Sequence, residues 1–235
     1  MEWRERDGVR WLEADLGGAR AAFSTRLGGV SEPPFDELNL GILTEDDPAA
    51  VTENRRRLAT ALDLEPEQVA FALQVHGTRL IHHPTDESLP EADGHVVAEP
   101  GPAPMVLAAD CLPVALRGPH GLAMVHAGWR GLAGGILAAA AAAVEASSAA
   151  IGPGIGPCCY EVGEEVLEAF ADLDGVAEGR MLDLPEVARR RLGEAGVEQV
   201  ESAGLCTSCE PDLFFSHRRD HGRTGRQAGI AWLEG

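Results

Sequence analysis

Pro104-Met105-Val106-Leu107-Ala108, Leu112-Pro113-Val114-Ala115-Leu116 and Leu122-Ala123-Met124-Val125 are three short apolar runs, cut apart by Asp110 and by a Gly-Pro-containing gap. Runs of this length between turn residues read as buried strands. The same texture appears at Val69–Leu73, Leu80–His82 and His95–Val97, so the middle of the chain predicts a strand-rich central sheet. Further out on the N-terminal side, Trp11–Leu16 and Arg20–Ser24 alternate like strands, and Gly28-Gly29-Val30-Ser31-Glu32-Pro33-Pro34 breaks the chain into a loop that is a candidate binding element. Asp47-Pro48 opens a helix through Leu62, with Arg55, Arg56 and Arg57 expected on its wet face. On the C-terminal side, the alanine-rich stretch from Leu132 to Ala146 predicts one helix, because alanine has the highest intrinsic propensity. Helices over Gly163–Ala171 and Pro185–Glu194, and strands over Val197–Ser202 and Gln227–Trp232, complete the pattern. Between them, Gly152-Pro153-Gly154-Ile155-Gly156-Pro157 carries two prolines. These make a rigid turn, not the helix entry that a dinucleotide fingerprint requires. No repeat, linker or break in composition divides the chain, so residues 1–235 read as one domain.

Composition removes several function classes. The net charge of −19, from 19 basic and 38 acidic residues, repels polyanions and argues against a nucleic-acid-binding surface. Every basic residue is arginine. The absence of lysine excludes pyridoxal phosphate enzymes, Schiff-base aldolases, P-loop NTPases and protein kinases. The longest apolar run, Leu132 to Val144, is shorter than the ~18 residues that a membrane span needs. The charged opening Met1-Glu2-Trp3-Arg4-Glu5-Arg6-Asp7 is unlike a secretory signal. A soluble cytoplasmic protein is the expectation. The odd number of cysteines, five, points the same way, to reduced thiols rather than a disulfide framework.

Three short segments present soft ligands beside glycine or a carboxylate: Gln74-Val75-His76-Gly77, Ala109-Asp110-Cys111-Leu112 and Val125-His126-Ala127-Gly128-Trp129-Arg130-Gly131. One thiol and two imidazoles can form a three-ligand Zn²⁺ or Cu site with an open fourth position, or a Cys/His nucleophilic pair. His76, Cys111 and His126 are all expected at strand ends, where loops carry sites. Arg130, at a helix N-terminus, offers a bidentate guanidinium suited to phosphate. Arg26 and the tail arginines Arg218, Arg219, Arg223 and Arg226 are further cations. Cys206-x₂-Cys209 followed by His217-x₃-His221 superficially resembles a zinc finger, but its central gap is seven residues, 210–216, against about twelve in that motif. Unpaired buried cysteines and surface histidines are the expectation there.

Taken together, the ordered segments Phe23-Ser24-Thr25-Arg26-Leu27-Gly28-Gly29-Val30-Ser31, Asn39-Leu40-Gly41, Gln74-Val75-His76-Gly77, Ala92-Asp93-Gly94, Ala109-Asp110-Cys111, His126-Ala127-Gly128-Trp129-Arg130-Gly131, Ile151-Gly152-Pro153-Gly154-Ile155-Gly156 and Phe214-Phe215-Ser216 through Thr224-Gly225-Arg226 resemble the YfiH-like family. That family was long labelled multicopper polyphenol oxidase or laccase-domain and was later described as purine nucleoside phosphorylase. The resemblance implies an α+β fold, a layered α/β/β/α sandwich with mixed sheets, related to bacterial toxin deamidases. It implies that His76, Cys111 and His126 bind one metal ion, zinc or sometimes copper. It also implies phosphorolysis of adenosine, inosine and S-methyl-5′-thioadenosine, and deamination of adenosine. On this reading Cys111, His76, His126 and Asp110 are catalytic, and Arg26, Arg130, Asn39 and Asp93 bind substrate or phosphate. Asp93 and Asp110 could instead orient an imidazole or move a proton. The expected partners are a nucleoside and phosphate, with no nucleic acid and no membrane.

Three positions depart from the family pattern: His217 stands where relatives usually carry tyrosine, and Cys209 and His221 look particular to this chain. Three other functions compete. A copper-dependent phenol oxidase follows the older label, but none of the eight histidines forms a His-x-His pair. A Cys/His amide hydrolase, such as an editing enzyme for peptidoglycan precursors, would use Cys111 without a metal. A non-catalytic metal-binding module would hold zinc without turning over nucleosides.

Overall fold

The computed structural model describes residues 1–235. Two six-stranded mixed sheets lie face to face between two helical layers. The first sheet has the order β1-β2-β3-β14-β7-β4, built from β1 (Glu2–Arg6), β2 (Val9–Asp15), β3 (Ala19–Ser24), β4 (Val69–Ala70), β7 (Ala103–Ala108) and β14 (Gln227–Leu233). The second has the order β13-β10-β8-β9-β6-β5, from β5 (Leu80–His83), β6 (Gly94–Val97), β8 (Leu112–Gly118), β9 (Gly121–Ala127), β10 (Ser148–Ile151) and β13 (Gln199–Ser202). A small hairpin joins β11 (Ala177–Glu178) to β12 (Met181–Leu182). The helices are α1 (Pro48–Ala61), α2 (Trp129–Ala133), α3 (Ile136–Val144), α4 (Glu164–Glu168) and α5 (Leu184–Glu194). The expected α/β/β/α sandwich with mixed sheets is the observed architecture.

Three apolar cores correspond to the three interlayer spaces. Leu58, Ala59 and Leu62 of α1 and its C-cap pack on Val9, Ala22, Met105 and Ile230 of the first sheet. Leu12, Phe23, Val106 and Ala231 meet Ala115, Leu122, Met124 and Ala150 between the sheets. Leu137, Val144, Val187 and Leu192 cover Val114, Leu116 and Val125 on the far side. Successive residues of β8 and β9 therefore face different cores, and both faces are dry. This is why those strands read as continuous apolar runs instead of alternating ones. The sheets approach closely at Gly229, where a Cβ would come within 2.3 Å of Met124 Cε and 2.5 Å of Pro113 Cβ.

Several expectations change. The single central sheet is two sheets, because the chain leaves the first at Ala108 and enters the second at Leu112. The helix expected over Leu132–Ala146 starts earlier, at Trp129, and is broken into α2 and α3, with Gly135 left-handed at φ 87° between them. Two consecutive glycines outweigh the alanines at that point. The helix over Gly163–Ala171 shrinks to a single turn. β1 has no apolar face and all five residues are exposed, so its sequence, Glu-Trp-Arg-Glu-Arg, carries no strand periodicity. Arg55 is not on a wet face: its Nε donates to Leu40 O at 2.9 Å, its guanidinium lies 4.3 Å from the Phe71 ring centre, and burial pushes its pKa down. Arg56 and Arg57 share Glu53 as expected of surface arginines.

Asn54 is a polar residue on the buried face of α1, fully enclosed. Its amide donates to Ser31 Oγ (2.8 Å), Glu37 O (3.1 Å) and Asn39 O (2.9 Å), and its oxygen accepts from Val30 N (2.8 Å). It thereby ties the 28–41 loop to the helix. Replacing it with leucine, which has the same branching but no polar atoms, strands those partners in a dry space, at a cost of roughly 3 kcal/mol or more. Urea denaturation of Asn54→Leu against the wild type measures this loss.

Candidate metal and catalytic centre

The site forms where the chain crosses between the sheets. Leu112 of β8 pairs with Ala127 of β9, which places Cys111, one residue earlier, beside Gly128. Gly94 of β6 pairs with Val125, so Asp93 lies next to His126, and its carbonyl accepts from His126 N at 2.7 Å. His76 arrives from the loop after Leu73, which bridges to Glu91. The ligand atoms of His76, Cys111 and His126 all lie within 4.8 Å of one another. The two imidazoles meet edge to face, with ring centres 4.9 Å apart. Glycine is required at 128, since a Cβ there would sit 3.1 Å from Cys111 Sγ and 3.2 Å from His76 Cδ2. His126 is buried, Cys111 half-buried and His76 exposed, so the group opens to solvent on the His76 side.

Asp93 organises this group. Its carboxylate accepts from Val75 N (3.1 Å), His76 N (3.0 Å) and Gly77 N (2.6 Å), and from His126 Nδ1 (2.8 Å). Burial alone would raise its pKa, but His126 and the backbone N–H groups outweigh burial and hold it below the ordinary carboxylate value. His126 Nδ1 is committed to the carboxylate, which leaves Nε2 for a ligand or a proton. His76 holds a left-handed backbone (φ 60°), and so does Asp110 (φ 93°). Such conformations are sustained only where the surroundings over-determine them.

Cys111 and His126 are electrostatically paired. Burial would raise the thiol, but His126 and His76 bring it down to about 6. Burial would lower the imidazole, but Cys111 and Asp93 push it up to about 9. The arrangement favours thiolate and imidazolium. Such a thiolate can ligate a metal or act as a nucleophile.

The other expected residues fall into distinct places. Asp110 is buried beside Cys111, its oxygens accepting from Thr207 Oγ1 (2.7 Å) and Arg218 N (2.7 Å). Asn39 is buried, bonded to Thr44, Asp46, Gly41 and the Arg226 backbone. Arg26 is held by Asp36 O (2.6 Å) and Pro211 O (3.0 Å) and lies over Phe215. Arg130 is exposed, stacked on Trp129 at 4.3 Å and without a carboxylate partner. It sits on a five-residue helix, so its anion-holding capacity comes from its guanidinium, not from a long helix dipole. His217 and His221 are both exposed and take no part in a ligand group.

Sequence reading missed Tyr160 and Thr207. Tyr160, the only tyrosine, is raised to about 12, mainly by burial and by the Cys111 charge, with Asp110 adding and Arg218 and Arg130 opposing. The Arg218 guanidinium lies 5.2 Å from the Tyr160 ring centre. Thr207 lies inside the Cys206-x₂-Cys209 segment, where the cysteines carried the signal, and Tyr160 lies in no segment whose local pattern suggests chemistry.

Residues 20–234 match a family model described as multi-copper polyphenol oxidoreductase laccase. A protein of Pseudomonas aeruginosa named purine nucleoside phosphorylase is 41% identical over 243 residues, covering 95% of this chain and 98% of its own length. Purine nucleoside phosphorylase YfiH of Escherichia coli is 41% identical over 231 residues, covering 92% and 94%. The chain belongs to the YfiH-like family. Solved YfiH-like structures agree. YlmD from Geobacillus stearothermophilus superposes with a TM-score of 0.89 at 34% identity, covering 99% of this chain and 98% of that one. A Neisseria meningitidis protein gives 0.87 at 36%, covering 96% and 99%.

Two outcomes are expected of this YfiH-like centre. Asp93→Asn loses the charge that fixes His126 and weakens the binding of an added divalent ion at the His76, Cys111 and His126 group by about 10- to 100-fold, measured by competition with a chromophoric chelator. In chelator-treated protein, alkylation of Cys111 by iodoacetamide rises with pH through about 6, and added zinc suppresses it. Site-resolved mass spectrometry separates Cys111 from the other four cysteines.

Proposed function

We propose that this chain is a metal-dependent purine nucleoside phosphorylase that cleaves adenosine, inosine and S-methyl-5′-thioadenosine with phosphate, and that the same site deaminates adenosine. The observation that carries this reading is the convergence of His76, Cys111 and His126 in a chain so alike, along most of its length, to proteins named purine nucleoside phosphorylases. One thiolate and two imidazoles, one of them backed by a carboxylate and one facing solvent, suit a catalytic zinc ion, and copper could use the same donors. A bound ion of this kind supplies Lewis-acid chemistry where these side chains meet. Residues 1–235 act in this reading as one domain, in the cytoplasm, where the thiols stay reduced.

In phosphorolysis a phosphate oxygen bonds to the anomeric carbon as the glycosidic bond breaks, and the departing purine takes up a proton. Positive charge develops on the ribose. The residues must therefore hold an anion beside the sugar and stabilise the leaving base. Arg130 is our leading phosphate ligand, because its guanidinium is exposed and unpaired by any carboxylate. Arg26 has its donors engaged by Asp36 and Pro211, and its role here is to hold the wall near Phe215. Asn39 acts by fixing Arg226, and Asp93 by fixing His126. Asp110, which accepts from Thr207 and Arg218, orients the loop that carries Cys111.

A second reading, a Cys/His amide hydrolase, is favoured by one observation: Cys111, His126 and Asp93 form a nucleophile–base–orienter series with a lowered thiol pKa. Metal content separates the two, since tightly bound equimolar zinc at Cys111 disfavours a free nucleophile.

The direct test incubates purified, metal-quantified protein with adenosine, with and without phosphate, and separates adenine, inosine and hypoxanthine by chromatography. Phosphate-dependent adenine is expected, with inosine formed independently of phosphate. Cys111→Ala should lower adenine release by more than about 100-fold, beyond the range for outer-shell contacts. Unchanged turnover in folded Cys111→Ala would remove this centre from the mechanism.

A further inference from the structure

The chain carries a second group of soft ligands, separate from the centre just described. Cys158 and Cys159 lie in the turn after Gly156-Pro157, and Cys206 and Cys209 in the turn after β13. The two turns are joined side by side: Gly154 bridges to Cys206, Thr207 N donates to Gly154 O at 3.0 Å, and Gly154 N donates to Leu205 O at 3.4 Å. This brings the four sulfur atoms within 4.8 Å of one another. Cys209 Sγ lies 3.4 Å from both Cys158 Sγ and Cys159 Sγ.

We propose that Cys158, Cys159, Cys206 and Cys209 form a closed tetrathiolate site for one zinc ion. A tetrahedral zinc with Zn–S bonds of about 2.3 Å holds its sulfurs about 3.8 Å apart, which is the spacing approached here. Cys206-x₂-Cys209 has the ligand spacing of one half of such a site, and the adjacent pair Cys158-Cys159 supplies the other half. Gly156 N donates to Cys206 Sγ at 3.3 Å, a contact that stabilises a thiolate. A Cβ at Gly156 would sit 3.4 to 3.7 Å from Cys206 Cβ, Cys158 Sγ and Cys206 Sγ, so the backbone closes over the group. With four protein ligands no position remains for substrate or water, so the ion's role is to fasten the two turns.

The fastening has a consequence for the first centre. Thr207 follows Cys206 and donates to Asp110, the neighbour of Cys111, and Tyr160 follows Cys159. One clip therefore sets Thr207, which bonds Asp110, and Tyr160, which lies under the Arg218 guanidinium at 5.2 Å. His217 and His221 take no part, so the ligands sought after Cys209 come from an earlier turn instead.

The test counts zinc. Protein purified under reducing conditions should hold two zinc ions per chain by inductively coupled plasma mass spectrometry. The double variant Cys158→Ser/Cys209→Ser, which alters only the two exposed thiols, should hold one, and Cys111→Ser should also hold one. Cobalt replacement should give intense tetrahedral d–d bands and sulfur-to-metal charge transfer in wild type and in Cys111→Ser, lost from the former's tetrathiolate part in the double variant. A single zinc in the wild type, lost in Cys111→Ser and kept in the double variant, would overturn the proposal. So would a Cys158–Cys209 disulfide in reduced preparations, or four thiols that react freely with Ellman's reagent in the zinc-loaded protein.

Discussion

The Asp93 carboxylate is the point from which the centre is built. Three consecutive N–H groups, of Val75, His76 and Gly77, converge on it from a loop, and His126 reaches it from β9. A buried carboxylate is costly unless its lone pairs are filled, and here four donors fill them. The same bonds that neutralise the cost of burial also hold the His76 loop in a left-handed turn and fix the ring of His126. Chemistry and local stability therefore share one anchor. The charge also supports imidazolium at His126, which in turn draws the Cys111 thiol down, so a single carboxylate sets the electrostatics two residues away.

Around this anchor the sandwich supplies rigidity and position. The second sheet is dry on both faces, and its β8–β9 pair carries Cys111 and His126 at one end. Crossing from the first sheet to the second takes only Ala109, Asp110 and Cys111, so the thiol sits on a taut connection with little freedom to wander. Asp110 is bound from the far side by Thr207 and Arg218, which couples the tail to the centre. The tail is in turn held against the turn after β10, where the four remaining cysteines gather. Two sulfur-bearing groups thus flank one wall, and each has exposed members: His76 in the first, Cys158 and Cys209 in the second.

Much of this was legible before any coordinates. His76, Cys111 and His126 stood out because each lies in a glycine- or carboxylate-flanked segment at the end of an apolar run, and the structure brings them together. Asp47-Pro48 marked the start of α1, whose cap Asp47 accepts from Ala49 N. Gly152–Pro157 was read as a rigid turn, but it runs extended out of β10, because its N–H groups bond to Pro113 O, Leu205 O and Asp110 O, and the turn begins only at Pro157. What failed did so for identifiable reasons. Alanine propensity is summed along a helix, but Gly134-Gly135 interrupts it locally, so one expected helix became two. Arg55 looked like its neighbours Arg56 and Arg57, yet a rotation of one residue on the helix turns it toward Phe71 and Leu40. Asn54 gave no signal at all, since a lone asparagine on an apolar face is distinguished only by the carbonyls that happen to surround it.

The sequence by itself determined the chemical inventory: arginine as the sole strong cation, five cysteines, the ligand trio, and the short apolar runs that read as buried strands. These are properties of residue type and of short-range period, which the backbone expresses without knowing its distant partners. Only the tertiary structure decided which cysteines share a site, because 158–159 and 206–209 are neighbours across parallel turns and not along the chain. It also decided that Arg130 is free while Arg26 is engaged, and that Thr207 bonds Asp110, the neighbour of Cys111. Convergence in space depends on strand order and register, and these are set by how three cores are filled at once, which no local window of sequence contains.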